Sequence, residues 1–297
     1  MAGIKVVVDS TSDIPQDIRE SHGIVMVPLK VHFDPEVYLD HVEITPAQFY
    51  RKIKDSQVHP RTSQPSPGEF VEVYRRLGQD GSKILSIHLS KNMSGTYQSA
   101  VLAKSMIPEV DVEVMDSRLA SMGYGVMAIA AARAAAEGKG VSECIDVAER
   151  VRQHVHLYFA VDTLDYLRRN GRIGRAQHLL GSLLQFKPIL TVDNDGFVSS
   201  YDKVRGRGRV LPRLEEIFRE HIPEGSSVVA VVAHAGARED AEKLVSGFRA
   251  SYNIRETVVT DLGPVIGTHT GPGTLACFVV DVSRLGFWPP APSKEVN

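Results

Sequence analysis

The sequence predicts an α/β protein of two domains, the first built on a parallel sheet covered by helices on both faces. Three observations carry this expectation. Short Val- and Ile-rich runs bounded by turn residues alternate with stretches of helical spacing, the pattern of successive strand–helix–strand units. The 297 residues are long for one core and comfortable for two. Apolar residues make up 43% and charged residues 24%, the balance of an ordinary globular chain.

Taken in order, residues 4–9, 24–33, 83–89 and 110–116 read as strands. Between them, Phe49 and Ile53, then Phe70, Val73, Tyr74 and Leu77, recur at helical spacing. An Ala-rich helix is expected over 122–137, with Gly138 and Gly140 suited to its C-terminal cap. A boundary is drawn near 155, giving domains 1–155 and 156–297. In the second, 157–161, 188–192, 227–233 and 257–260 read as strands, 164–185 as helix-rich and 238–250 as a helix. The apolar run Leu275–Val282 fits either a helix or a strand, and because it follows Gly271-Pro272-Gly273 the helix start is preferred; the tail after Gly286, with the single tryptophan Trp288, is assigned no regular structure.

Composition narrows the partners. A formal net charge of −2 gives no reason to expect nucleic acid. Cys144 and Cys277, the two cysteines, lie in apolar patterns and read as buried reduced thiols rather than a disulfide framework. The N-terminus runs straight into the strand-like Val6-Val7-Val8 with no signal-peptide pattern, and no apolar stretch reaches the roughly 20 residues of a membrane span. A cytoplasmic protein is expected.

Five segments carry candidate chemistry. Asp9-Ser10-Thr11-Ser12-Asp13-Ile14-Pro15 leaves the first strand at its carboxyl end, where α/β proteins bind ligands, although Ser12 or Asp13 could merely cap a helix begun by Pro15. Arg61-Thr62-Ser63-Gln64-Pro65-Ser66-Pro67 offers small hydroxyls beside two prolines that bar helix and central strand; composition alone favours local turns. Leu89 to Ser99 leaves a strand and enters a helix, putting Ser94 near free backbone N–H groups, so an anion site and a plain helix cap weigh equally. Gly263 to Gly273 frames His269, flanked by Thr268 and Thr270, with four glycines and two prolines, which raises a functional reading above the usual structural one. Arg168, Arg169, Arg172 and Arg175, with Lys203, Arg205, Arg207 and Arg209, form a basic set that is either a solvated face or a match for phosphate or an acidic partner. No phosphate-binding loop, dinucleotide fingerprint, nucleophile elbow or metal-ligand spacing occurs. The residues alone describe a binder of a small anion.

Taken together the segments resemble the DegV family over nearly the whole chain. The resemblance rests on Asp9–Pro15, Thr62-Ser63-Gln64-Pro65, Ser94 to Ala100, Gly171-Arg172-Ile173, Lys187-Pro188-Ile189 with Lys203-Val204-Arg205, and Gly263–Gly273, six motifs in order. It implies a parallel-sheet three-layer domain joined to a smaller α/β domain with a mixed sheet, and a long-chain fatty acid bound between them. It implies a carboxylate site at Thr62, Ser63, Ser94, Gly95, His269 and Thr270. It also implies a separate ATP-binding fatty acid kinase subunit that makes the acyl phosphate for phospholipid synthesis, with Arg172 and Arg205 facing that partner. A transient contact with a membrane surface is compatible with this role. No catalytic residue, cofactor or metal is implied. Lys91-Asn92-Met93, where relatives commonly carry small residues, and Asn170, at a position often glycine, depart from the family pattern.

The physical chemistry agrees with that implication: an ionised carboxylate is buried only among donors, and hydroxyls, helix-start N–H groups and a histidine supply them. The competing expectations are a stand-alone phosphotransferase, an acyl hydrolase using Ser94 and His269, or a lipid-sensing regulatory protein. The first needs a nucleotide site and the second a base oriented by a third group, and the sequence singles out neither.

Overall fold

The structure is a computed structural model, and it describes residues 3–56, 58–181, 185–285 and 288. The chain runs β1 (Ile4–Asp9), α1 (Gln16–Ser21), β2 (Val25–Val27), β3 (Lys30–Phe33), β4 (Glu36–Leu39), α2 (Pro46–Asp55), β5 (Arg61–Ser63) and α3 (Pro67–Gly78). It continues through β6 (Lys83–His88), α4 (Thr96–Ser105), β7 (Val112–Asp116), α5 (Met122–Ala136), α6 (Val141–His154), β8 (Val155–Ala160) and α7 (Asp165–Arg169). Then follow β9 (Phe186–Val192), β10 (Val198–Arg205), α8 (Val210–His221), β11 (Ser227–His234), α9 (Arg238–Ser251), β12 (Asn253–Asp261), α10 (Pro264–Thr270), β13 (Leu275–Asp281) and α11 (Val282–Leu285).

Two units emerge. The first comprises the chain up to Pro28, Gln64–Gln153, and Leu285 with Trp288; the second comprises Leu29–Ser63 and His154–Arg284. The division into 1–155 and 156–297 differs from this chiefly at Leu29–Ser63. The reason lies in packing: Leu29, Val31, Phe33, Phe49 and Ile53 close an apolar cluster with Val265 of α10. With that segment added, the second unit is the longer one, not a smaller appendage.

In the first unit four parallel strands are ordered β2-β1-β6-β7. Phe70 and Tyr74 of α3 and Ala100 and Ala103 of α4 pack on Val7 and Ile84. Val6 and Val8 have the opposite parity and point to the other face, where α5 lies against β1 and β6. Every residue from Met122 to Ala134 of α5 is buried, which is why that helix carries alanines all round instead of a polar stripe. The chain leaves β1 toward β2 and leaves β6 toward β7 on the opposite side. The order therefore reverses between β1 and β6, the place where open parallel sheets hold ligands beyond their carboxyl ends.

In the second unit a six-stranded mixed sheet, β10-β9-β8-β13-β11-β12, is parallel only between β11 and β12. Phe218 of α8 meets Phe248 of α9 edge to face at 5.1 Å, in one core with Ala230 and Val232 of β11 and Cys277 of β13. Each fully buried ring or branched side chain there contributes about 1.5–3 kcal/mol. A small antiparallel sheet, β4-β3-β5, completes this unit.

Three sequence expectations need correction. Leu275–Asp281 is a strand, not a helix start: every residue is buried, and it pairs antiparallel with β8 and β11. A fully buried central strand has no alternation to distinguish it from a buried helix, and its Phe-Val-Val is β-favouring. The run 24–33 is broken at Pro28 into β2 and β3, which belong to different sheets and different units. Among the described residues of 164–185, α-helix is confined to α7, followed by a 3-10 stretch at Gly174–Leu179, because Gly171 (φ 67°) and Gly174 (φ 53°) take left-handed backbone. Residues 182–184, and the tail after Gly286 apart from Trp288, lie outside the described residues.

Candidate functional site

In the first unit the two loops at the β1/β6 reversal carry the candidate residues. Ser10–Ser12 form a buried 3-10 turn capped by Asp9, whose side chain accepts from Thr11 N–H at 3.0 Å, and neither Ser12 nor Asp13 is the N-cap of α1. Asp13 ends the turn in left-handed backbone, and Ser121 donates to its carboxylate at 2.5 Å. Pro15 is the N-cap of α1 and supplies no side-chain hydrogen bond there.

After β6, Ser94 N–H donates to Ser90 O at 3.2 Å, and Ser94 Oγ accepts from Thr96 N–H at 3.3 Å and shares a hydrogen bond with Thr96 Oγ1 at 2.9 Å. Ser94 thus serves the start of α4, while Gly95 is its N-cap. A Cβ on Gly95 would lie 2.4 Å from Nε2 at the far end of the flexible Gln64 side chain. The Gln64 amide therefore rests on the opening of α4, beside Ser94 and the unsatisfied N–H groups of the first turn.

The second unit holds the other candidates. Arg61–Ser63 is a short edge strand on β3 rather than a loop, and Ser66 beyond it caps α3 through a capping box with Glu69. Thr62 Oγ1 lies 2.9 Å from His269 Nε2. Ser63 Oγ lies 2.8 Å from Nε2 of His32, a residue the sequence reading passed over. Alternation along Val31-His32-Phe33 could have found it, since the two neighbours point into the core and His32 does not. Burial pushes the His269 pKa down to about 3, with the positive charge of Arg172 adding to the effect. Its Nδ1 is buried with no hydrogen-bond partner among the described residues. The hydroxyl of Thr270 donates back to Ile266 O at 3.1 Å, so as placed it serves its own helix.

Arg172 is exposed and donates to Asn170 O at 2.7 Å, and Asn170 in turn ties to Thr268 O at 3.0 Å, one residue before His269. Arg205, also exposed, donates to Gln185 Oε1 at 2.7 Å. Much of the remaining basic set is paired within the unit. Arg168 meets Asp165, Arg175 meets Asp193 and Asp195, and Arg207 with Lys187 meets Asp162. The candidate set is thus divided by unit: Ser94 and Gly95 in the first, and Thr62, Ser63, His269, Thr270, Arg172 and Arg205 in the second. Among the described residues no group of three or more His, Cys, Asp or Glu side chains could hold a metal ion, and no helix is long and apolar enough to cross a membrane.

Comparison with known proteins gives one consistent result. A family model described as an uncharacterised protein of the DegV family matches residues 3–282. Protein DegV of Bacillus subtilis is 39% identical over 279 residues, covering 93% of this chain and 99% of its own. A solved structure from Thermus thermophilus, described as fatty acid binding of a DegV family protein, has a TM-score of 0.89 at 36% identity and covers 94% of this chain and 99% of its own. The crystal structure of DegV from Bacillus subtilis, described as a fatty acid binding protein, has a TM-score of 0.87 at 37% identity, covering 95% of this chain and 100% of its own.

Proposed function

Because this chain belongs to the DegV family, we propose that it binds one long-chain fatty acid by its carboxylate and presents it to a separate ATP-dependent kinase subunit. The observation that carries the reading is the Thr62–His269 pair. A hydroxyl and a buried, uncharged imidazole are held 2.9 Å apart, in a chain whose similar structures are described as fatty acid-binding. Ser63, with Ser94 and Gly95 at the start of α4, supplies the further donors that an ionised carboxylate needs once it leaves water. The acyl chain supplies affinity: at about 0.8 kcal/mol per buried CH₂, a long chain brings on the order of 10 kcal/mol before association costs. The proposal puts the carrier in the cytoplasm, feeding phospholipid synthesis. An acyl hydrolase using Ser94 and His269 needs a base oriented by a third group, and among the described residues His269 Nδ1 has no hydrogen-bond partner to orient it.

Mass spectrometry of organic extracts from the purified protein should find a fatty acid. Added palmitate or oleate should raise the melting temperature, because a ligand of the native state stabilises by mass action. Extracts free of fatty acid together with an unmoved melting temperature would refute the carrier. For the kinase step, Arg172→Ala and Arg205→Ala should leave fatty acid binding intact and sharply lower acyl phosphate formation in a reaction reconstituted with kinase subunit and ATP. Lost binding in either variant would move that arginine to the lipid side of the mechanism.

A further inference from the structure

The most heavily hydrogen-bonded carboxylate at the β1/β6 reversal belongs to Asp9, which no ligand role so far uses. It is fully buried. Its Oδ1 accepts from Thr11 N–H at 3.0 Å, Thr11 Oγ1 at 2.5 Å and the Tyr124 hydroxyl at 2.8 Å. Its Oδ2 accepts from His88 Nδ1 at 3.0 Å and from the backbone N–H of Leu89 at 3.2 Å. Behind His88 the chain continues: Nε2 lies 2.7 Å from Ser86 Oγ, which lies 2.8 Å from the Tyr74 hydroxyl. Burial holds the Tyr74 phenol protonated. The Tyr74 hydroxyl donates to Ser86 Oγ, Ser86 Oγ shares a hydrogen bond with Nε2 of His88, and Nδ1 of His88 donates to Asp9. Burial alone would raise the Asp9 pKa; donation and charge from His88, with Thr11 and Tyr124, outweigh it and hold the carboxylate ionised.

The Ser86–His88–Asp9 order looks like a hydrolytic triad, but Ser86 is fully buried with the Tyr74 hydroxyl against it, so no substrate reaches it. Burying an ion is expensive, and apolar residues of like volume often serve stability as well or better. What this ion does locally is hold two loops at once. Thr11 belongs to the turn after β1, and Leu89 begins the loop after β6. From Leu89 the links run on: Ser94 N–H to Ser90 O, then Thr96 N–H to Ser94 Oγ.

We propose that Asp9, oriented by the Tyr74–Ser86–His88 chain, is a positioning residue that aims the Ser94–Gly95 opening of α4 at the ligand's carboxylate. This rests on the fatty acid reading and deepens it. The experiment compares palmitate with hexadecanol, which share the chain and differ in the head group, for wild type, Asp9→Asn and Tyr124→Phe. A merely structural defect weakens both ligands alike. Misaimed carboxylate donors weaken palmitate alone, so the acid-over-alcohol preference of Asp9→Asn should fall about tenfold, the worth of roughly one charge-assisted hydrogen bond. Tyr124→Phe, which removes one donor and leaves the ring in place, should give a smaller fall in the same direction; it carries the test if Asp9→Asn does not fold. A wild-type preference retained in full by a folded variant overturns the inference alone. A wild-type protein that binds neither ligand overturns the fatty acid reading, and this inference with it.

Discussion

His269 stays uncharged because burial, with the Arg172 charge beside it, lowers its pKa from 6.5 to about 3. His156 behaves alike: burial and then its neighbour His221 lower it to about 4. A histidine with a depressed native pKa binds its proton in the unfolded state first. Its contribution to stability is therefore present above pH 6.5 and is lost as pH falls from there toward the native value. Chemical denaturation across this window should show stability declining as the solution is acidified, and His269→Gln should flatten that decline; an equally steep acid limb in the variant would contradict the assignment. At the same scale, Thr62→Val and Ser94→Ala should each weaken fatty acid binding by about 1.5–3 kcal/mol, since a charged acceptor loses a hydroxyl donor. Isothermal titration of both variants with palmitate measures this, and wild-type affinity in both would dismiss the carboxylate assignment. Composition singled out His269 in its Gly/Pro frame, weighed Ser94 evenly between an anion site and a helix cap, and favoured local turns at Thr62; the carboxylate role of all three came from the family resemblance. Asp9 and His88 were not read as a pair, because 79 residues separate them. The available hint was Ser86 and His88 alternating inside an otherwise apolar strand.

Elements bounded by glycine or other turn residues were readable: β1, β6, α5 and α9 fall within a few residues of expectation. Those that failed did so where periodicity carries no information. β13 is buried on both sides, and its preceding Gly271-Pro272-Gly273 was taken for a helix start when it is the exit from α10. That exit is sterically specified. Gly271 has φ 81°, and a Cβ there would lie 2.3 Å from the Tyr166 ring; a Cβ at Gly273 would lie 2.1 Å from Asp162 Oδ2. Gly271→Ala should destabilise the protein by about 2 kcal/mol or more, combining left-handed strain with a clash against a packed ring. Urea unfolding measures it, and a change below about 0.5 kcal/mol, the range of neutral surface substitutions, would show that the α10 exit relaxes.

For the whole molecule, the alternation of strands and helices was enough to expect an α/β fold, and length was enough to expect more than one core. What sequence order concealed is that neither unit is contiguous: Leu29–Ser63 interrupts the first and joins the second. That arrangement sets a timetable for the nascent chain. The partners Leu29, Val31, Phe33 and Phe49 leave the ribosome about two hundred residues ahead of Val265, a delay of roughly 10–40 seconds at ordinary elongation rates. Through that interval Phe33 and Phe49, which end up at 2% and 0% exposure, lack the cover that Val265 completes. Stalled chains ending before residue 264 should be cleaved readily within 29–63 by a brief protease pulse, and chains stalled late enough to release β13 should resist. Equal resistance in both would mean that the early segment finds shelter before its partner is made.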